Sequence, residues 1–186
     1  MQAVAAIVLA RAGKMAAAQK LAAELGNTFP LDMLVQRYWL PSRRAAIALE
    51  RKDPGRAVEL LKIANPIELG QSTAALTISL CPAYLRGQAF LMLHEGNAAA
   101  AEFQKFIDHR GLVVNFPWAA MAGVGLARAY AMQGDTAKAK AAHQDFLMLW
   151  KDADPHIPIL VAAKQGLRTQ LPSRRGPGRS EYAKLH

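Results

Sequence analysis

Apolar residues recur at helical spacing on both sides of Gly134, in LARAYAMQGDTAKAKAAHQDFLMLW, and strand-like alternation is absent. Gly134 tolerates a left-handed conformation and so ends a first helix. Asp135 can cap a second helix by accepting its orphan backbone N–H groups. The pattern repeats. A small residue is followed by an apolar or aromatic one at plus three, a turn residue at plus seven, an alanine at plus twelve and an apolar or bulky residue at plus sixteen. The copies are Ala6/Leu9/Gly13/Ala18/Ala22, Ala45/Ala48/Lys52/Ala57/Leu61, Gly87/Phe90/His94/Ala99/Phe103 and Ala127/Tyr130/Gly134/Ala139/His143. Successive copies are 39, 42 and 40 residues apart. Self-similarity of this kind predicts an all-α stack of helical hairpins, since one hairpin cannot bury its own apolar face.

The extra length falls between the hairpins, at 29–40, 64–80 and 111–116. The segment 155–171 is expected to form a closing helix over the last hairpin, which makes 1–171 one helical domain. The remainder, 172–186, is rich in Pro, Gly and Arg and lacks an apolar face, so it reads as a flexible basic tail.

The spacing resembles the tetratricopeptide repeat, a helix–turn–helix unit of about 34 residues in its standard form. The third and fourth copies match well. In the first and second, Ala6, Ala45 and Ala48 are undersized, and Lys52 stands at the turn glycine. The resemblance implies a right-handed superhelix of four hairpins whose first helices line a concave groove. It places Ala3, Ile7 and Ala10, then Ser42, Ala46 and Leu49, then Tyr84, Gln88 and Leu91, then Val124, Arg128 and Ala131 on that wall. Trp39 lies one turn before Ser42. The expected partner-binding residues are therefore Trp39, Ser42, Tyr84, Gln88, Leu91 and Arg128. Trp, Tyr and Arg are the usual anchors of interfaces, although Trp39 and Tyr84 would equally serve as packing against Trp118 or Trp150. The chaperone-binding version of the repeat uses Lys and Asn, which Ala3 and Ile7 do not supply. The stretches FPLDMLVQRYWLP (29–41) and 126–160 are also similar to the C-terminal repeat region of certain bacterial serine/threonine protein kinases. That implies a regulatory portion, inactive without a catalytic domain.

Composition narrows the rest. Apolar residues make up 52% of the 186, and the net charge is +9. Residues 164–186 carry +5 of that charge and residues 1–163 carry +4. The body lacks a concentrated basic face, so nucleic-acid binding through the tail ranks last among the readings. Arg43-Arg44 reads as a solvated face. One cysteine, Cys81, excludes an internal disulfide and, with no apolar run long enough for a membrane span, points to a cytoplasmic protein. MQAVAAIVLARAG has no basic residue before its apolar run, so it reads as the first hairpin and not as a signal peptide. That helix starts almost at Met1 without a cap, an expectation of preceding protein, and it leaves a homodimer through the first hairpin open.

No motif carries chemistry. The kinase glycine-rich loop, H-R-D and D-F-G are absent, and Asp145-Phe146 is followed by Leu147. His94, His109, His143, His156 and His186 fall in no metal-ligand spacing. Cys81, beside Pro82 at a helix start, reads as a small buried hydrophobe. Asp152 and Asp154 read as helix-end residues. The expected function is therefore non-catalytic protein–protein interaction or scaffolding, with no cofactor and no metal, and a peptide or partner helix as ligand.

Overall fold

The computed structural model describes residues 2–70, 80–113 and 117–170, and among them the chain is all helical. The helices are α1 Gln2–Arg11, α2 Met15–Thr28, α3 Leu40–Glu50, α4 Pro54–Leu61, α5 Cys81–Met92, α6 Gly96–Asp108, α7 Arg110–Val113, α8 Pro117–Met132, α9 Thr136–Leu149 and α10 Pro158–Gln170. The basic tail, 172–186, and the middle of the long connector, 71–79, lie outside the described residues.

The four turns are built alike. The residue at plus seven takes a left-handed conformation in every copy, with φ of 74° at Gly13, 62° at Lys52, 60° at His94 and 77° at Gly134. Two backbone hydrogen bonds close each helix end. The plus-seven N–H donates to the plus-four carbonyl, at 3.0 Å for Gly13, 3.0 Å for Lys52, 3.2 Å for His94 and 3.1 Å for Gly134. The plus-eight N–H donates to the plus-three carbonyl, at 2.9 Å for Lys14, Asp53 and Glu95 and at 3.0 Å for Asp135. This Schellman arrangement satisfies carbonyls that a helix end leaves orphaned. Asp53 and Asp135 serve twice. Each closes one helix and caps the next, its carboxylate accepting the Arg56 or Lys138 N–H at 3.0 Å.

Packing follows the turns. Within hairpins α1 lies on α2, α3 on α4, α5 on α6 and α8 on α9. Between hairpins α2 meets α3, α4 meets α5, α6 meets α8 and α9 meets α10. The first helices also touch in series, α1 with α3, α3 with α5, α5 with α8 and α8 with α10. The small residues Ala6, Ala45, Gly87 and Ala127 and the plus-twelve alanines are all buried. Phe103, on α6, lies between two glycines. A Cβ on Gly87 would stand 2.7 Å from its ring, and one on Gly125 would stand 2.5 Å from it. Backbone can approach a ring that closely only where no side chain intervenes. His143, the plus-sixteen residue of the last copy, faces Gly166 of α10 in the same way, with a Cβ there 2.8 Å from the imidazole. The α10 helix thus docks on α9 as α8 docks on α6, slightly shorter than the 155–171 expected.

The connectors depart from expectation. Residues 33–39 are already helical and run into α3 through a π-helical turn, Val35–Trp39. The wide turn ends just before Pro41, whose ring cannot donate to the preceding turn. Asp32 caps it by accepting the Val35 N–H at 3.0 Å. Arg43 is buried, at 1% exposure, and donates to the Leu21 carbonyl of α2 at 3.1 Å, while Arg44 is exposed. The solvated-face expectation therefore holds for Arg44 and fails for Arg43, because α2 packs over it.

Two glycines on α8 separate propensity from packing. Ala is the better helix former by about 1 kcal/mol, and a Cβ at Gly123 meets nothing within 4 Å. Gly123→Ala is expected to stabilise by up to about 1 kcal/mol, whereas Gly125→Ala should destabilise by roughly 1–2 kcal/mol because the buried ring cannot retreat. Urea unfolding of both variants checks this. A stabilised Gly125→Ala would contradict the ring's position. At the turns, Lys52→Gly removes a left-handed L-residue and should raise Tm by about 2–4 °C, an effect calorimetry resolves. A lowered Tm would contradict the left-handed turn.

Candidate functional site

The six residues expected on the first-helix face divide into buried and accessible. Ser42 is fully buried, its hydroxyl donating to the Tyr38 carbonyl at 2.6 Å. Tyr84 is 3% exposed and stands edge-on to Trp118, ring centroids 4.4 Å apart, with Phe103 and Phe106 beyond. Trp39 is half-buried, edge-on to Tyr38 at 4.9 Å. Gln88 and Leu91 are half-buried and Arg128 is exposed. Ile7, Ala10, Ala46, Leu49 and Val124, assigned to the same wall, are buried as well. The side chain of Ala3 lies outside the described residues. The cause is helix spacing. With alanine and glycine at the contact points, the first helices touch in series, and the positions that would line a groove become their seam.

Among the described residues the face opens toward its C-terminal end. There Leu91 and Met92 of α5, Arg128, Ala131 and Met132 of α8, His143 of α9 and Ala162 and Gly166 of α10 surround a cavity of about 470 Å³. Leu91 and Arg128 are thus brought together. Gln88, one turn before Leu91, makes polar contacts of its own. Its Nε2 donates to the Tyr84 hydroxyl at 2.9 Å, and its Oε1 accepts from Arg11 Nη1 at 3.4 Å. Arg11, at the end of α1, was not among the expected residues. It arrives from 77 positions away in sequence, through the contact of α1 with α3 and of α3 with α5. Burial raises the Tyr84 hydroxyl pKa, while the charges of Arg11 and Arg128 pull the other way. This face therefore carries an apolar cavity with Arg128 on its lining, and a polar chain of Arg11, Gln88 and Tyr84.

Two further sets of titratable groups are held inside the fold. Cys81 is buried and its thiol is pushed up to about 12 by that burial, so it is an inert hydrophobe as the sequence suggested. Arg86, 3% exposed, is held by Glu102 at 2.8 and 3.0 Å and by Glu68. Burial works against its charge, but these two carboxylates outweigh it and raise the pKa. Glu68 comes from the connector after α4, and Lys105 joins it to Glu102 at 2.8 Å on each side. Nothing in the spacing of these four residues announces the network. Among the described residues no group of three or more His, Cys, Asp or Glu side chains could hold a metal ion, and no helix is long and apolar enough to cross a membrane. Comparison with protein-family models, with curated proteins and with solved structures finds no match to this chain.

His143 gives the site a pH dependence. It is 2% exposed, and its Nδ1 finds no hydrogen-bond partner among the described residues. Burial first, and then the Arg128 charge, lower its pKa. The unfolded chain therefore takes up this proton at a higher pH than the folded one. Stability falls as pH drops from about 6.5 toward the depressed value and levels off below it. His143→Phe, which copies Phe103 of the preceding hairpin, should lose less stability than the wild type between neutral pH and about pH 5.5. Urea midpoints at the two pH values measure this, and an equal loss in both proteins would contradict it.

Proposed function

We propose that this chain is a non-catalytic interaction module of the tetratricopeptide type. On this reading four hairpins stack as a solenoid, α10 closes the end, and a partner peptide or helix is held on the face made by the first helices. The observation that supports it is the fourfold recurrence of one turn, with the same left-handed residue and the same two hydrogen bonds at Gly13, Lys52, His94 and Gly134. Nearest-neighbour packing of successive hairpins agrees with it. The partner would bind at the open end, with Leu91 and the cavity beneath it as apolar floor and Gln88, Arg128 and Arg11 as polar anchors. Arg is a frequent source of interface energy because its planar fork forms several hydrogen bonds at once. Tyr84 supports Gln88 by accepting its amide hydrogen bond, whereas Trp39 and Ser42 are engaged with Tyr38.

The test is capture from native lysate with the intact chain, beside an Arg11→Glu/Gln88→Ala/Arg128→Glu variant and a Met148→Ser/Leu149→Ser control. Arg11, Arg128, Met148 and Leu149 are exposed and Gln88 is half-buried, so circular dichroism should be unchanged. A partner retained by the control and weakened at least about tenfold by the triple variant is expected. Equal capture by wild type and triple variant, or capture of nothing, would contradict the assignment.

A further inference from the structure

On the opposite side of the molecule the second helices of neighbouring hairpins are separated by clefts floored by a first helix. The middle cleft, between α4 and α6, is filled by the chain itself. Residues 62–70 turn across α5, burying Ala64 and packing Ile67 against the core. Glu68, only 4% exposed, points its carboxylate at Arg86 of α5 and at Lys105 of α6. Arg86 immediately precedes the small residue Gly87.

The first cleft has the same floor without the filling. It is a cavity of about 370 Å³, bounded by Ala22 of α2, Arg44 and Ile47 of α3, and Arg56 and Leu60 of α4, with Arg51 just beyond the end of α3. Arg44 immediately precedes the small residue Ala45, so it occupies the repeat position of Arg86. It is exposed, as are Arg51 and Arg56, and none of the three forms an ion pair within 4 Å among the described residues. Asp53, the acid of this lining, is the helix cap that accepts the Arg56 N–H. We propose that this cleft is a second binding site, taking an acidic peptide segment of a partner protein whose carboxylate meets Arg44 as Glu68 meets Arg86. Leu60 and Ala22 supply apolar contact, as the core does for Ile67. Arg51 and Arg56 flank the opening and favour further negative charge in the same segment. The third cleft, about 680 Å³ between α6 and α9, has Leu126 at the position of Arg86; its cations, Arg110 and Lys138, stand elsewhere on the lining, and Lys138 is paired with Asp135. The proposal rests on the equivalence of the hairpins and is independent of the first-helix face.

The intact, isotopically labelled chain is titrated with a capped peptide of sequence NPIELG, which repeats residues 65–70, and with its Glu→Gln form. Saturable amide shifts at Ala22, Arg44 and Leu60 are expected. Arg44→Gln, an exposed substitution, and the Gln peptide should each weaken binding by about tenfold. No saturable shifts at millimolar peptide, equal affinity for both peptides, or shifts centred on Arg86 or on Leu91 and Arg128 would overturn the proposal. So would oligothymidylate shifting the Arg44 cleft where the acidic peptide does not, since that is a phosphate site.

Discussion

Everything in the second half of this molecule hangs on one ring meeting two bare backbones. Phe103 touches the α5 backbone at Gly87 and the α8 backbone at Gly125. The first contact sets how closely α5 and α6 pair within a hairpin. The second sets how closely the next hairpin stacks on them. Neither distance is available to a helix with a Cβ at that point, and the ring is 1% exposed, so it has nowhere else to go. His143 against Gly166 carries the same device one step further and brings α10 into place. The substitution of an imidazole for a benzene ring there adds a polar atom that burial leaves unsatisfied, which makes the last interface the acid-sensitive one.

The same economy of side chains shapes the surface. Small residues let the first helices touch in series, so most of their shared face is a seam and not a groove. A cavity stays open where α10 meets the stack, with Arg128 on its lining, and Gln88 and Arg11 reach out of the seam beside each other. On the other side the second helices have only first helices between them, and clefts follow. One cleft is closed by the chain's own connector at the cost of burying Glu68, which Arg86 and Lys105 neutralise. Breaking such a pair from one side leaves a buried charge and costs about 3–5 kcal/mol. The network therefore fixes where residues 62–70 run.

Much of this was legible in the residue pattern. Gly13 and Gly134 mark turns by their chemistry, while Lys52 and His94 were placed only by register, and all four adopt the left-handed conformation. The alanines at plus twelve announced close contacts. The site was less legible. Ser42 and Tyr84 were assigned to an open wall by a facing rule that assumes separated first helices, and tight packing buried them. Arg43 looked like half of a charged surface pair, and only the position of α2 reveals otherwise. Arg11 and the Arg86–Glu68–Glu102–Lys105 network depend on contacts between distant residues, for which a single sequence carries no local signal.

The packing of α5, α6 and α8 rests on Phe103 touching both backbones. The direct measurement is the proton spectrum of Gly87 and Gly125. With the ring against both backbones, the α-protons of both glycines should show strong ring-current shifts and cross-relaxation with the Phe103 ring, and both should vanish in Phe103→Leu. Perturbation of Gly87 alone would contradict this packing, since α5 and α6 would then pair without α8 against the ring.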